Sequence, residues 1–138
     1  MRCPACEKPL VVVEVDQVEL DVCAACEGKW FDAQELALLF EKTGQSEEIR
    51  SLERDLAALP PEPDAPRRRC PRCSARMKTV RMATAIPPVV LDLCPRADGI
   101  WFDRAELPRV LAAKIPESAP ALERVKKFLG GFAAPPPS

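Results

Sequence analysis

Seven cysteines stand in this 138-residue chain, and six of them fall in three C-x-x-C pairs: Cys3 and Cys6, Cys23 and Cys26, Cys70 and Cys73. A C-x-x-C turn aims two thiolates and several backbone N–H groups at one point. Sixteen residues separate the first pair from the second. A hairpin of that length brings the two turns together as a tetrahedral four-sulfur site. Soft thiolates in that geometry suit zinc, with iron the main competitor. Four sulfurs fill the coordination sphere, so such a site is structural. Its binding free energy, on the order of 10 kcal/mol or more, is then folding free energy. The odd cysteine count argues against a fully paired disulfide framework, and two pairs at hairpin spacing argue against a lone redox dithiol.

A second set follows the same pattern with one departure. Cys70, Cys73 and Cys94 match the ligand positions, but Ala97 takes the fourth place, with Asp98 beside it. Three outcomes compete. Asp98 completes a three-sulfur, one-oxygen site; water fills the fourth position; or the site has lost its metal. The first is the reading adopted, so zinc is expected at both centres. An open zinc would resemble a hydrolase site, but the chain has no histidine to serve as its base.

The elements that must position these thiols are written twice. RCPACEKPL (Arg2 to Leu10) returns as RCPRCSARM (Arg69 to Met77), and LDVCAACEGKWFDAQEL (Leu20 to Leu36) returns as LDLCPRADGIWFDRAEL (Leu91 to Leu107). Between the metal turns of the first copy, Leu10 to Val15 and Val18 to Cys23 read as hairpin strands around Asp16-Gln17. The second run alternates Val18, Leu20 and Val22 with Glu19 and Asp21, the period of a half-buried strand. Met77 to Met82 and Val89 to Leu93 take these roles in the second copy, with Ala83 to Pro88 as a longer turn. Gly28 and Gly99 follow the second turn, where a positive φ is expected. Trp30-Phe31 and Trp101-Phe102 read as core plugs rather than base-stacking platforms.

Helices follow each motif. Asp32 with Glu35, and Asp103 with Glu106, have capping-box spacing, and Pro108 predicts a short or kinked second helix. A further helix is expected from Ser46 to Ala58, with Ile49, Leu52, Leu56 and Leu59 on one stripe. Another is expected over residues 119–129. The fold class is therefore small, metal-stabilised α+β: two tandem hairpins with zinc knuckles, each followed by helix. The organisation reads as 1–59, a Pro/Arg-rich linker at 60–69, a second unit at 70–130 and a disordered tail at 131–138. Modules this small bury little apolar surface and need such a staple.

Charge is split. Residues 1–66 carry −9 and residues 67–138 carry +8, within a total of −1. Mutual docking of the halves, head-to-tail association, a basic face kept for an anionic partner, or two unequal solvated surfaces all fit. Between Arg67 and Arg81 lie Arg67, Arg68, Arg69, Arg72, Arg76, Lys78 and Arg81 with no acidic residue, a candidate anion-binding stripe. Residues 1–9 are polar and carry the first cysteine pair, so no secretion leader is expected. No apolar run is long enough to span a bilayer. A reducing, cytoplasmic setting fits reduced thiols.

The pattern C-P-x-C, hairpin, L-D-x-C-x-x-C-x-G-x-W-F-D-x-x-E-L resembles the bacterial zinc-ribbon family named for the transcription factor IIB zinc finger. Both copies carry it, over roughly Met1 to Leu39 and Arg69 to Leu111. The resemblance implies that Cys3, Cys6, Cys23, Cys26, Cys70, Cys73 and Cys94 are metal ligands, and that Ala97 is a departure. In transcription factor IIB the ribbon contacts RNA polymerase, so the resemblance implies protein docking at least as readily as DNA reading. The expected function is a non-enzymatic, transcription-related interaction module with a protein partner or nucleic acid. The alternative is a redox or metal sensor acting through the incomplete second site. The apolar stripes at Ile49 to Leu59 and Leu122 to Leu129 also fit a homodimer.

Overall fold

The computed structural model describes residues 1–15, 17–41, 44–85, 87–104 and 106–115. In chain order the elements are β1 (Val11–Val15), β2 (Val18–Val22), β3 (Lys29–Asp32), α1 (Glu35–Leu39), α2 (Ser46–Ala57), β4 (Lys78–Met82), β5 (Val89–Leu93), β6 (Gly99–Phe102) and α3 (Glu106–Leu111). β-Branched residues make the hairpin strands. Val15 pairs with Val18 around a tight turn in which Gln17 takes a φ of 68°. The expected helix 119–129 and the tail lie outside the described residues. No helix among the described residues is long and apolar enough to cross a membrane.

The six strands form one antiparallel sheet in the order β1-β2-β3-β6-β5-β4. Its centre is the pairing of β3 with β6, one strand from each repeat. Trp30 lies opposite Trp101, Phe31 opposite Ile100, and Lys29 opposite Phe102. Since Trp30 and Trp101 are equivalent residues, the repeats meet about a local pseudo-two-fold axis, as in an isologous dimer. Within the 60–69 stretch, Pro61 bridges Val80, and the Glu62 N–H donates to the Thr79 carbonyl at 2.7 Å.

Each face of the sheet has its own cover. Leu20, Val22, Phe31, Leu91, Leu93 and Phe102 face the helices, where Leu36, Ile49, Leu52, Leu56 and Val110 complete one apolar core. Phe31 and Phe102 meet edge to face, with centroids 5.7 Å apart and planes at 87°, worth ~0.5–1.5 kcal/mol beyond the area they bury. On the other face the two indoles pack among the cysteines. Trp30 and Trp101 are fully buried, as the core reading requires. They cannot stack bases.

Three local expectations are corrected. Gly28 and Gly99 have no positive φ; the turn residues that do are Glu7, Glu27, Ser74 and Ala97. The glycines make room instead. A Cβ on Gly28 would lie 2.0 Å from the Trp101 ring, and one on Gly99 would lie 2.2 Å from the Phe31 carbonyl and 2.7 Å from the Trp30 ring. Each glycine thus accommodates the other repeat's tryptophan.

Asp32 and Asp103 do not cap helices. The residue before α1 is Gln34, left-handed and without a side-chain cap. Only half the capping box forms: Glu35 Oε1 accepts the Asp32 N–H and Glu106 Oε1 accepts the Asp103 N–H, both at 2.8 Å. The aspartates instead accept the indole N–H of Trp30 at 2.8 Å and of Trp101 at 3.0 Å. Burial, opposed by those backbone N–H groups, lifts both glutamates to about 7.

Asp21, expected on the solvent side, is buried, as is Asp92. Both lie beside tryptophans on the face that the knuckles cover. Thr79 Oγ1 donates to Asp92 at 2.7 Å, while burial raises the pKa of both acids. As Pro108 predicts, α3 is short, at six residues. Pro108 is its third residue, where a backbone N–H has no intrahelical acceptor.

Gly28→Ala should lower unfolding free energy by roughly 1–3 kcal/mol or more through overpacking against Trp101. Gly44→Ala is the control, because Gly44 has a φ of 76° and open space around it; its cost is backbone strain of about 1–2 kcal/mol. Denaturant melts in fixed excess zinc measure both. A Gly28→Ala loss no greater than the control's contradicts the packing account.

Candidate metal centres

Three of the four metal turns are built alike. In the first, the Cys3 N–H donates to the Lys8 carbonyl at 2.7 Å and the Glu7 N–H to the Cys3 carbonyl at 2.8 Å. The same pair of bonds closes the turns at Cys70, through Ala75 and Ser74, and at Cys23, through Gly28 and Glu27. In all three the residue after the second cysteine is left-handed, with φ of 65–66° at Glu7, Ser74 and Glu27. Backbone N–H groups point at the sulfurs: Ala5 and Cys6 to Cys3, Cys26 to Cys23, Arg72 to Cys70, Arg96 to Cys94, at 3.3–3.4 Å. Such donors stabilise thiolate.

The first group brings Cys3, Cys6, Cys23 and Cys26 together with all four sulfurs within 4.8 Å of one another. Cys3 and Cys26 sulfurs are 3.5 Å apart, and those of Cys6 and Cys23 are 3.3 Å apart. Disulfide sulfurs sit at about 2.0 Å. The edge of a zinc–sulfur tetrahedron is roughly 3.8 Å. The spacing fits a shared ion rather than a bond. Without metal the thiols of Cys3 and Cys26 resist ionisation. Burial pushes Cys3 and Cys26 up, whereas at Cys23 the N–H donors and neighbouring thiols outweigh burial and bring it down to about 7. A divalent cation removes that conflict, with release of protons.

The second group is Cys70, Cys73, Cys94 and Asp98, again with all donor atoms within 4.8 Å. Cys73 and Cys94 sulfurs are 3.6 Å apart, and Cys70 Sγ lies 4.0 Å from Asp98 Oδ2. Burial pushes Cys70 up to about 12. The fourth turn differs from the other three in one respect. Ala97 itself is left-handed, with φ of 61°, and its N–H closes onto the Cys94 carbonyl at 3.0 Å, one residue earlier than elsewhere. That tighter turn swings Asp98 into the place that Cys26 holds in the first group. Sequence spacing pointed to Asp98 but not to this shift. Both groups have the donors and spacing to take zinc.

The arginine stripe does not stay together. Arg72 makes a two-pronged pair with Asp32 of the first repeat at 2.6 Å. Arg68 pairs with Asp103 at 2.9 Å and Asp92 at 3.5 Å, and Arg81 with Glu62 at 3.1 Å. Lys78 donates to the Ala57 carbonyl at 3.0 Å. Arg67, Arg69 and Arg76 are exposed and have no carboxylate partner among the described residues. With Arg2, which the sequence reading passed over, and Arg68 they line an open groove of about 520 Å³ between the Cys3 and Cys70 turns.

Two matching cysteine groups on two equivalent hairpins are the structural signature of a repeated zinc ribbon. The model for the transcription factor zinc-finger family matches residues 2–42 and 69–113. The chain belongs to that family. No curated protein and no solved structure matches the chain at a significant level. Membership agrees with the two copies, the zinc cofactor and the small α+β fold with zinc ribbons.

Zinc stoichiometry tests the asymmetric second centre. The wild-type chain should hold two zinc ions. Asp98→Ala should lose the second to a chelator at least tenfold more readily while the first stays. Asp98→Cys should tighten it, because thiolate suits zinc better than carboxylate. The same zinc retention in wild type and Asp98→Ala rules out Asp98 as a ligand.

Proposed function

We propose that this chain is a non-enzymatic, transcription-related docking module, in which Cys3, Cys6, Cys23 and Cys26 hold one zinc and Cys70, Cys73, Cys94 and Asp98 hold the other. Zinc supplies rigidity. Four protein donors at each centre leave no position for substrate, which supports a structural role over hydrolysis. Chain residues then do the rest: N–H groups steady the thiolates, and the tryptophans pack against the buried side of each centre.

The observation that carries the partner assignment is the groove between the first knuckles. It is lined by Arg2, Arg67, Arg68, Arg69 and Arg76, with Glu7 the one carboxylate among its lining residues. Guanidinium forks suit phosphate oxygens. The nearby centres temper this field, since zinc with four anionic donors carries a formal charge of about −2. Contacts here are to the nucleic-acid backbone and carry no sequence, because both indoles are buried.

Anisotropy titrations of single- and double-stranded DNA and RNA against salt test the nucleic-acid arm. Affinity should fall steeply with salt, and the triple variant Arg67→Ala, Arg69→Ala, Arg76→Ala should flatten the slope by about 2–3. No binding at low salt removes nucleic acid and leaves a protein partner, sought by pull-down from nuclease-treated extract. A second reading, sensing through the second centre, is favoured by its carboxylate donor. Peroxide that releases the second zinc ahead of the first supports it; release of the first ahead, of both together, or of neither, removes it.

A further inference from the structure

The sheet has two outer strands, β1 and β4, which are equivalent in the repeat, yet only one is covered. Along β4 the preceding segment lies as an extra extended piece: Pro61 bridges Val80, the Glu62 N–H donates to the Thr79 carbonyl, and Glu62 pairs with Arg81. Thr79 is 5% exposed and Val80 fully buried. The equivalent positions on β1 are Val12 and Val13, and Val12 is 60% exposed, with Val11 beside it at 52%. No strand among the described residues pairs with the outer edge of β1. An uncovered edge with two exposed valines is a template for strand addition.

We propose that the outer edge of β1, from Val11 to Glu14, is the docking site for an extended segment of a partner protein that carries a lysine or arginine beside Glu14. The second repeat shows the shape of the occupant, since Pro61 and Glu62 fill the equivalent edge in extended form. Charge sets its chemistry. Where β4 offers Arg81 to Glu62, β1 offers Glu14, so the complementary residue is basic. Glu14 also stands directly opposite Glu19 across the hairpin, both exposed, a like-charge pair that a cation would relieve. A second copy of the chain is disfavoured, because β1 against β1 would bring two such acidic pairs together. This surface lies apart from the arginine groove, and its test does not depend on nucleic-acid binding.

The probe is a capped synthetic peptide of residues 57–66 with Glu62→Lys, compared with the unaltered peptide. It is titrated into the full, zinc-loaded, ¹⁵N-labelled chain. The lysine peptide should shift the amide resonances of Val12 and Glu14 and bind at least fivefold more tightly than the glutamate peptide. In Glu14→Lys, an exposed substitution that leaves the fold alone, that preference should reverse. Shifts absent from residues 11–14 at millimolar peptide, or a preference unaltered by Glu14→Lys, overturns the proposal. Sedimentation showing a dimer held through β1 overturns it equally.

Discussion

Trp30 and Trp101 face each other across the two central strands, and each indole lies where the other repeat's glycine has no side chain. Everything else in the sheet is arranged around that exchange. A single three-stranded ribbon would leave Trp on one face and Phe on the other, with β3 as an open apolar edge. Pairing β3 with β6 closes that edge. It also places Phe31 against Phe102 in the helix-side core and both tryptophans among the cysteines. The G-x-W-F segment thus encodes an interface between repeats as well as a fold within each.

The charge split finds its use at the same interface. Arg72 reaches Asp32, Arg104 reaches Glu27 at 2.7 Å, and Lys114 reaches Asp55 at 2.9 Å, each joining the basic half to the acidic one. Glu27 is buried while Arg104 is largely exposed, so the pair spares a carboxylate the cost of isolation more than it adds net stability. Lys29 is buried too and gives its ammonium to the Glu27 carbonyl at 2.9 Å, with burial lowering its pKa. Of the arrangements that the sequence left open, docking of the halves is among those realised.

Much of this was legible in the sequence. Cysteine spacing located both centres, and the alternation of Val18 to Cys23, the β-rich run before it and the repeat of both located the four hairpin strands. The apolar stripe expected over Ser46 to Ala58 located α2, which ends at Ala57. What stayed hidden was long-range. Periodicity reports which side of a strand is buried, never which strand lies beside it, so β3 against β6 left no local trace. Asp21 and Asp92 misled for the same reason: acidic residues in alternation read as solvent-facing until a second layer is known. Glycine after a metal turn suggested a backbone need, when the need was room for an indole contributed some 70 residues away along the chain. Seven cations within fifteen residues read as one surface, while the fold divides them among carboxylates, a carbonyl and a groove.

The degenerate second centre follows from these couplings. A ribbon that had only to fold itself could lose its fourth ligand and then its metal. Here the fourth turn is tied to the first repeat: the Asp98 carbonyl accepts the Ala33 N–H at 2.7 Å, just beyond β3. The Cys70 turn is tied to it as well, because Arg72, between Cys70 and Cys73, holds Asp32 at the end of β3. Slackening of either turn would therefore loosen the strand that carries Trp30 and Phe31. Under that constraint a turn without its cysteine must still be held shut. Tightening by one residue at Ala97 presents a carboxylate where the first repeat presents the Cys26 thiolate. The second centre then acts as a clamp on the first repeat, and a weaker donor set is sufficient for a clamp.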